Sequence, residues 1–539
     1  MILFPSHISP AVPPSRERRD FCFFSNFFME KRALFGRRKE IVQERQVEIA
    51  TSFLLCYNEA YSAGFGRQTG GRTKIMDFAA ISSGLTAVVE SINSALWDSI
   101  LLILLCGTGI WFTIRLKAVQ VRKFKQGLKA VFGNIRLRGD KAGADGMSSF
   151  QSLATAVAAQ VGTGNIAGAA TAIASGGPGA IFWMWLGAFF GMATIYAEAS
   201  LAQKYKTTVD GEVTGGPVYY IKARFKGKFG KFLAGFFAVA ITLALGFMGN
   251  MVQCNSISDS FQNAFGVPGI AVGIVVAAIA AVIFLGGKKR IASVTEKIVP
   301  VMAVLYILGS LVVIFANFRN LGHAFAQIFV LAFDPQAMAG GVAGITVREA
   351  IRFGVARGLF SNEAGMGSTP HAHALAKVKH PCDQGIVAFV GVFIDTFVVL
   401  TMTALVIIST GAFTMTDASG APLTAAPLAQ AAFNTVMGQF GNIFIAVCMF
   451  FFAFSTIIGW YFFGETNVKY LFGKKAVPVY TVIVILFVLL GSVMKVDLVW
   501  ELTDLFNGLM VIPNLIGVLG LTGVVVALSR EHDALHKLR

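Results

Sequence analysis

Nine residues beginning at Gln160, QVGTGNIAG, lie within an otherwise apolar run. After Gln160, the glycines and polar residues among them are Gly162, Thr163, Gly164, Asn165 and Gly168. Each glycine destabilises a helix interior by roughly 0.5 to 1 kcal/mol relative to alanine, so the sequence predicts an interrupted helix. In a bilayer, the freed N–H and C=O groups need partners from the protein or from a bound solute. The freed amides would favour an anionic group, and the freed carbonyls could ligate a cation.

The same glycines allow a second interpretation. Three residues separate Gly164 from Gly168, and this small-xxx-small spacing lets two membrane helices approach closely without binding a solute. Thr163 and Asn165 favour the binding interpretation, because close packing alone needs no polar side chains. The sequence leaves both interpretations open.

Asp395 is an ionisable residue near the centre of the apolar segment FVGVFIDTFVVLT. An unpaired carboxylate is costly there, so it must be paired, protonated or exposed to a cavity. Asp395 has either a coupling function or a structural partner, such as a backbone amide or an arginine between 348 and 357. Glu198 lies nearer the end of its apolar run, where we expect it to reach water and to be structural.

A second polar and glycine-rich cluster consists of Ser361, Asn362 and Glu363, followed by Gly365 and Gly367. We expect a second helix interruption here, with Asn362 and Glu363 in a coupling or structural role. The alternative is an ordinary capping turn, since Ser and Asn begin helices and Gly ends them.

Other patterns give little indication of chemistry. His371, His373 and His380 lack cysteine or carboxylate neighbours at metal-ligand spacing, so we expect no metal there. Six scattered cysteines without a C-x-x-C pair are typical of core residues. The sequence contains no nucleotide-binding motif and neither G-x-S-x-G nor His-Glu-x-x-His. It therefore predicts neither an enzyme nor a cofactor.

The composition places most of the chain in lipid. Of 539 residues, 55% are hydrophobic and 14% are charged, and the mean hydropathy is +0.67. A soluble globule of this size could not cover so much apolar surface. The net charge is +16, and the basic residues lie between the apolar runs and do not form one basic face. Membrane lipid is therefore an expected partner, and nucleic acid is not.

Apolar runs of sufficient length predict about eleven transmembrane helices, one of which must be fitted between 323 and 366. Lys and Arg follow every second crossing, whereas 262–268 and 412–438 contain neither. This pattern indicates that the C-terminus is cytoplasmic and that the first helix starts outside. The ten helices after the first can be divided into two sets of five that cross the membrane in opposite orientations. This division is inferred only from the number of helices.

The chain divides accordingly into five segments. They are an extension at 1–75, the first helix with a basic loop at 76–146, five-helix sets at 147–318 and 319–529, and a tail at 530–539. The extension is rich in charge and its apolar pieces are too short to span a membrane. We expect it to be disordered or to precede the true start at Met76.

Several longer segments resemble one family. They are GTGNIAG at 162–168, GGPGAIFWMWLGAFFGMATIYAEASLAQKY at 176–205, GNMVQCNS at 249–256, RGLFSNEAGMGSTP at 357–370, FSTIIGWYFFGE at 454–465 and NGLMVIPNLIG at 507–517. From about Met76 to the last helix, the chain resembles the alanine or glycine:cation symporter family. The resemblance implies an all-α integral membrane protein with a leucine-transporter-type five-plus-five inverted repeat and one extra N-terminal helix. It also implies Na⁺-coupled symport of small neutral amino acids across a plasma membrane, the inner membrane in bacteria.

The resemblance also assigns individual residues. It implies a substrate site at Gly162, Thr163, Gly164, Asn165, Thr456, Gly459 and Trp460. It implies Na⁺ ligands at the carbonyls of Ala158 and Val161 and the hydroxyls of Ser455 and Thr456. Alternatively, these two hydroxyls bond only to their own helix. Coupling to H⁺ through Asp395 is an alternative to Na⁺, and a passive channel is disfavoured because the polar clusters are isolated.

Overall fold

The computed structural model describes residues 78–133, 146–334, 346–494 and 497–537. The predicted extension at 1–75 lies outside the described residues. Nearly all the described elements are helices, and they form a membrane protein of the all-α class, as predicted.

The first part of the chain, up to residue 224, contains the first interrupted helix. They are α1 (Phe78–Ala95), a π-helical turn (Leu96–Ile100), α2 (Leu101–Arg115), α3 (Val119–Arg122), α4 (Phe124–Phe132), α5 (Ser149–Gln160), a π-helical turn (Gly164–Gly168), α6 (Ala169–Gly176), α7 (Ala180–Lys204) and α8 (Pro217–Arg224). A hairpin of β1 (Thr207–Val209) and β2 (Glu212–Thr214) precedes α8, with Thr207 opposite Thr214.

The middle of the chain continues with long helices. They are α9 (Gly227–Ile241), a π-helical segment (Thr242–Gly249), α10 (Asn250–Phe265), α11 (Gly269–Phe284), α12 (Gly287–Ala316), α13 (Phe318–Val330), α14 (Val347–Asn362) and α15 (Pro370–Ala374). The π-helical segment joins α9 and α10 into one helix that extends from Gly227 to Phe265.

The last part of the chain completes the bundle. Its helices are α16 (Pro381–Val392), a π-helical segment (Phe393–Leu400), α17 (Thr401–Ser409), a 3₁₀ turn (Ala412–Thr414), α18 (Ala425–Met437), α19 (Gln439–Phe472), a 3₁₀ turn (Lys474–Ala476), α20 (Val477–Gly491), α21 (Asp497–Gly520) and α22 (Thr522–Lys537).

Seven helices of the described residues are long and apolar enough to cross a membrane. They are Ala180–Lys204, Gly227–Phe265, Gly287–Ala316, Pro381–Ser409, Gln439–Phe472, Lys474–Gly491 and Val499–Gly520. Two shorter apolar helices, Leu101–Arg115 and Gly269–Phe284, lie among them. The two interrupted segments do not reach this length because each is divided. The total of eleven crossings and the five segment boundaries remain predictions.

The long helices expose apolar residues and bury polar ones, as expected for a chain in lipid. On α12, Val301, Leu308 and Phe315 are exposed and lie seven residues apart, on one face. Tyr306 and Ser310 on the same helix are buried. The hydrocarbon of the membrane therefore replaces water as the outer solvent, and the polar contacts lie between helices.

Both interrupted helices begin with a capping box. Ser148 and Gln151 cap the start of α5, and Thr346 and Glu349 cap the start of α14. In each box the side chains satisfy backbone amides that the first helical turn leaves without partners. In the region where one crossing was fitted between 323 and 366, the structure has two separate helices, α13 and α14, and that crossing stays a prediction.

Candidate substrate and cation site

The first interruption lies between α5 and the π-helical turn that follows it. The backbone leaves the helical conformation at Val161, whose ψ is 87°. The N–H of Gly162 donates to Oδ1 of Asn165 at 3.0 Å, and the N–H of Thr163 donates to Oε1 of Gln253 at 3.3 Å. Side chains therefore partner the amides that the interruption frees, as a buried backbone requires.

Helix α19 packs directly against this interruption. A Cβ atom on Gly162 would lie 2.2 Å from Oγ1 of Thr456, and a Cβ atom on Gly459 would lie 2.9 Å from Cβ of Ala159. Any larger residue at either position would push the two helices apart. Gly162 and Gly459 therefore set the distance between α5 and α19.

The spacing of Gly164 and Gly168 provides one close helix contact, not two. A Cβ atom on Gly164 would lie 2.9 Å from Cα of Ser361, so this glycine permits a close helix contact. At Gly168 the nearest atom would be the carbonyl oxygen of Thr163, at 3.9 Å. Only the first member of the pair is at a tight contact between segments, so the spacing does not act as a two-glycine packing motif.

Three of the four predicted Na⁺ ligands come together beside the interruption. Oγ of Ser455 and Oγ1 of Thr456 lie 3.2 and 3.0 Å from the carbonyl oxygen of Ala158. The same hydroxyls lie 2.9 and 3.1 Å from the carbonyl oxygen of Phe452 in their own helix. Each hydroxyl has one hydrogen to share among these carbonyls, and Thr456 also lies 3.4 Å from the carbonyl oxygen of Ala159. Val161, the fourth residue, is buried at the interruption itself.

Asp395 connects the two interrupted helices. Its Oδ1 accepts from Nδ2 of Asn165 at 2.7 Å, and both its oxygens lie 3.1 Å from the donating hydroxyl of Ser361. The hydroxyl of Thr396 donates to Oδ2 at 2.8 Å. Because Asp395 is fully buried, these three donors replace the water that a carboxylate would otherwise bind.

Asp395 has structural partners, but they differ from the backbone amide or arginine suggested by the sequence. Arg357 pairs instead with Asp504 of α21, with Nη2 and Oδ2 3.1 Å apart. The donors to Asp395 are the side chains of Asn165, Ser361 and Thr396, and no backbone amide is among its hydrogen-bond donors within the described residues.

The second interruption begins at Glu363, whose φ of 57° ends α14. Its Oε1 accepts from the indole N–H of Trp460 at 2.5 Å, and its Oε2 accepts from the hydroxyl of Ser368 at 2.6 Å. The carbonyl of Asn362 accepts from Nε2 of Gln160 at 2.7 Å. This segment is thus both a helix cap and an interruption, and it is tied to α19 and to α5.

Glu198 holds the loop that follows the second interruption. Its carboxylate accepts from the N–H groups of Gly365 and Gly367 at 3.0 and 3.1 Å, and from Nδ2 of Asn514 at 2.5 Å. The two glycines have φ values of 90° and 79°, which other residues rarely adopt. The expectation that Glu198 reaches water was wrong, because this loop covers the carboxylate completely.

Sequence reasoning did not identify Gln253 as a site residue, although a glutamine within an apolar helix is a visible signal. Nε2 of Gln253, Oγ1 of Thr163 and Oδ1 of Asn250 are buried and find no hydrogen-bond partner among the described residues. Such atoms are uncommon in proteins. Since Gln253 contacts the interruption directly, these atoms indicate that polar groups of a ligand could be received there.

The histidines singled out in the sequence have separate protein partners. Nδ1 of His371 donates to the carbonyl of Ser368 at 2.7 Å, and its Nε2 accepts from Asn467 at 2.9 Å. Nδ1 of His373 accepts from Nε2 of Gln384 at 2.8 Å. These contacts fit neutral, buried side chains of structural type.

Comparison with known proteins decides the family. The family model described as the sodium:alanine symporter family matches residues 82–538. The chain belongs to the sodium:alanine symporter family. The sodium/alanine symporter AgcS of Methanococcus maripaludis is 44% identical over 467 residues, which cover 86% of this chain and 99% of that relative. The probable sodium/glutamine symporter GlnT of Bacillus subtilis is 42% identical over 449 residues, which cover 83% and 91%.

The fold of this symporter-family chain is of the leucine-transporter type, as predicted. The crystal structure of MhsT in complex with L-phenylalanine matches with a TM-score of 0.50 and 15% identity, over 72% of this chain and 99% of that one. At this identity the likeness concerns the fold alone. The predictions of a multi-pass membrane transporter and of a chain that is not an enzyme are confirmed.

Proposed function

We propose that the chain is a secondary active transporter that couples Na⁺ entry to the uptake of alanine and glycine by alternating access. The observation that carries the proposal is the meeting of the Ser455 and Thr456 hydroxyls with the carbonyl of Ala158 at a helix interruption. The family description and the name of the relative AgcS support sodium and alanine as the solutes.

The oxygen atoms at the interruption suit a cation. Interrupted membrane helices ligate Na⁺ through freed carbonyls, and the carbonyls of Ala158 and Val161 lie at this position. When an ion enters, the Ser455 and Thr456 hydrogens turn away from Ala158 and their oxygens face the charge. Binding then replaces the two hydroxyl contacts to the Ala158 carbonyl with ion–oxygen contacts.

The amino acid fits beside the ion. Its carboxylate would face the amides of the Gly162–Asn165 turn, where the following half-helix presents its positive end. The unpartnered atoms Oγ1 of Thr163 and Nε2 of Gln253 add further polar contacts. The amides of Gly162 and Thr163 would exchange their side-chain acceptors for the carboxylate, whereas the two side-chain atoms would gain a first partner.

Tight packing at Trp460 favours a small side chain. Its indole is held by Glu363, and a Cβ atom on Gly249 would lie 2.5 Å from the ring. A methyl group or a hydrogen occupies little extra volume, whereas a glutamine side chain would displace the ring. We therefore favour alanine and glycine over the glutamine named for GlnT.

Alternating access follows from the connection between the interruptions. Because Asp395 accepts from Asn165 and Ser361, filling the first interruption also changes the contacts of the second. The two sets of helices then rock about the site. The Lys and Arg residues of the loops support a cytoplasmic C-terminus and a first helix that starts outside, in the plasma membrane of a bacterium.

Uptake of labelled alanine into proteoliposomes tests the proposal. With equal pH on both sides, replacing external Na⁺ with choline should abolish accumulation, and a protonophore should not. If accumulation survives in choline but stops with the protonophore, coupling is to H⁺ and the proposal fails.

Competition measures the selectivity. Unlabelled glycine should reduce alanine uptake at concentrations similar to those of alanine itself, whereas glutamine and leucine should compete weakly. Equal competition by glutamine would show that Trp460 does not limit side-chain size. If glutamine competes more strongly in the Trp460→Phe variant, Trp460 is the residue that limits side-chain size.

A further inference from the structure

A large cavity lies where two helix-to-helix turns meet the hairpin. It has a volume of about 1220 Å³ and is lined by parts of α11, α12, α19 and α20, by β2, by Leu375, and by Gly146, Met147 and Gln151 at the start of α5. The turns between α11 and α12 and between α19 and α20 join consecutive apolar helices, so they lie at the boundary of the membrane. The cavity therefore spans the level at which lipid headgroups meet acyl chains.

One end of the cavity is basic. Lys288, Lys289, Lys469 and Lys474 line it, together with Glu212 and Glu465. Glu212 contacts three of these lysines, at 2.9 Å to Lys288 and 3.4 Å to Lys469 and Lys474. Lys469 also lies 2.6 Å from Glu465. Four lysines against two glutamates leave two positive charges unmatched.

Lys289 is the clearest unmatched charge. It lies on the surface at the start of α12 and makes no ion pair within the described residues. Lys474 shares Glu212 with two other lysines and is largely exposed. Both ammonium groups can therefore bind an additional anion without losing a partner of their own.

The other end of the cavity is apolar and open to the side. Its wall includes Ala281 and Leu285 of α11 and the following turn, and Val482 and Ile485 of α20. Leu285 is 82% exposed and Val482 is 58% exposed. In a membrane these side chains face hydrocarbon, so the wall is suited to an acyl chain and unsuited to a hydrated ion.

We propose that this cavity binds one anionic phospholipid, with its phosphate on Lys288, Lys289 and Lys474 and an acyl chain along α11 and α20. A basic pocket beside membrane helices is suited to such a headgroup. Inorganic phosphate would contact only the lysines. A zwitterionic lipid would contact the apolar wall but would not neutralise the two unmatched positive charges. The anionic lipid uses both ends of the cavity.

Native mass spectrometry of the delipidated full chain, titrated with phosphatidylglycerol or phosphatidylcholine, tests the proposal. The variant Lys288→Gln/Lys289→Gln/Lys474→Gln should bind phosphatidylglycerol more weakly, by about fivefold for each lysine. Binding of phosphatidylcholine should not change. The control is Lys226→Gln/Lys228→Gln/Lys231→Gln, which removes three lysines at the start of α9 outside the cavity and should leave both lipids unaffected.

A single variant separates loss of binding from loss of folding. Lys289→Glu breaks no ion pair within the described residues, so it should fold, and it should still lose phosphatidylglycerol binding and the thermal stabilisation that this lipid gives. Equal losses in the α9 control would show general surface attraction and overturn the proposal. So would full displacement of the lipid by millimolar inorganic phosphate.

Discussion

Asn165 donates its side-chain amide to the carboxylate of Asp395 at 2.7 Å. The two residues are 230 positions apart, and each is fully buried. The same carboxylate accepts from Ser361, so one acidic group receives donors from both helix interruptions. A change at either interruption should therefore alter the hydrogen bond that Asp395 makes to the other.

Exchanging the two members of this pair tests its role. Asn165→Asp places two carboxylates in contact without a donor between them, so Na⁺-dependent alanine uptake should fall by more than about tenfold. The double variant Asn165→Asp/Asp395→Asn restores one amide and one carboxylate and should recover part of that uptake. A double variant no better than the single one would mean that the contact does not couple the interruptions.

Two glycines of one segment should respond differently to the same substitution. Gly162→Ala brings a Cβ atom 2.2 Å from Oγ1 of Thr456, and such overpacking costs typically about 1 to 3 kcal/mol. We expect reduced uptake and a lower melting temperature in detergent. Gly168→Ala is the matched control, because its nearest neighbour lies at 3.9 Å. Equal damage at both positions would contradict the role assigned to Gly162.

Sequence reasoning located features that depend on neighbouring residues in the chain. The interruption at Gly162 was predictable because glycines and polar residues stand out in an apolar run, and Glu363 was predictable for the same reason. The partners of Glu198, and Asn165 as a partner of Asp395, were not, because they lie far away in the sequence. An arginine was suggested as a partner for Asp395, which instead accepts from a side-chain amide and hydroxyls. Water was expected at Glu198, which instead accepts from the N–H groups of a folded loop.

Na⁺ affinity should depend on Thr456 more than on a similar threonine in the same helix. Thr456→Ala removes an oxygen that contacts Ala158, and we expect the half-saturating Na⁺ concentration to rise by about tenfold. Thr466→Ala is the control, since among the described residues its buried hydroxyl bonds only to the carbonyl of Phe462. Uptake measured against Na⁺ concentration distinguishes them. A similar shift in both variants would favour a structural role for both hydroxyls.

Glu198 should matter for stability. Glu198→Ala leaves the N–H groups of Gly365 and Gly367 without their acceptor, at a cost of roughly 1 to 3 kcal/mol for each buried donor. The melting temperature of the purified protein should fall clearly. Glu90→Ala, at an exposed position of α1, should not change it. An unaltered melting temperature for Glu198→Ala would show that this loop does not need the carboxylate.

The ion pairs of Glu212 predict a response to acid at the hairpin. Partial burial alone would raise the pKa of Glu212, but the hydrogen bond and charge of Lys288, with Lys469 and Lys474, lower it to about 2. A carboxyl group with a lowered pKa stabilises the fold above its unfolded pKa of about 4.5 and loses that contribution as the pH falls towards 2.

Melting temperatures between pH 7 and pH 3 measure this contribution. Glu212→Gln should be less stable than the unmodified chain at pH 7, and the difference should shrink as the pH falls below about 4.5, because protonation removes the same charge. Asp210→Asn, in the turn of the same hairpin, is the control for a charge without an ion pair among the described residues. A difference that stays constant down to pH 3 would mean that Glu212 stabilises the hairpin through contacts other than its charge.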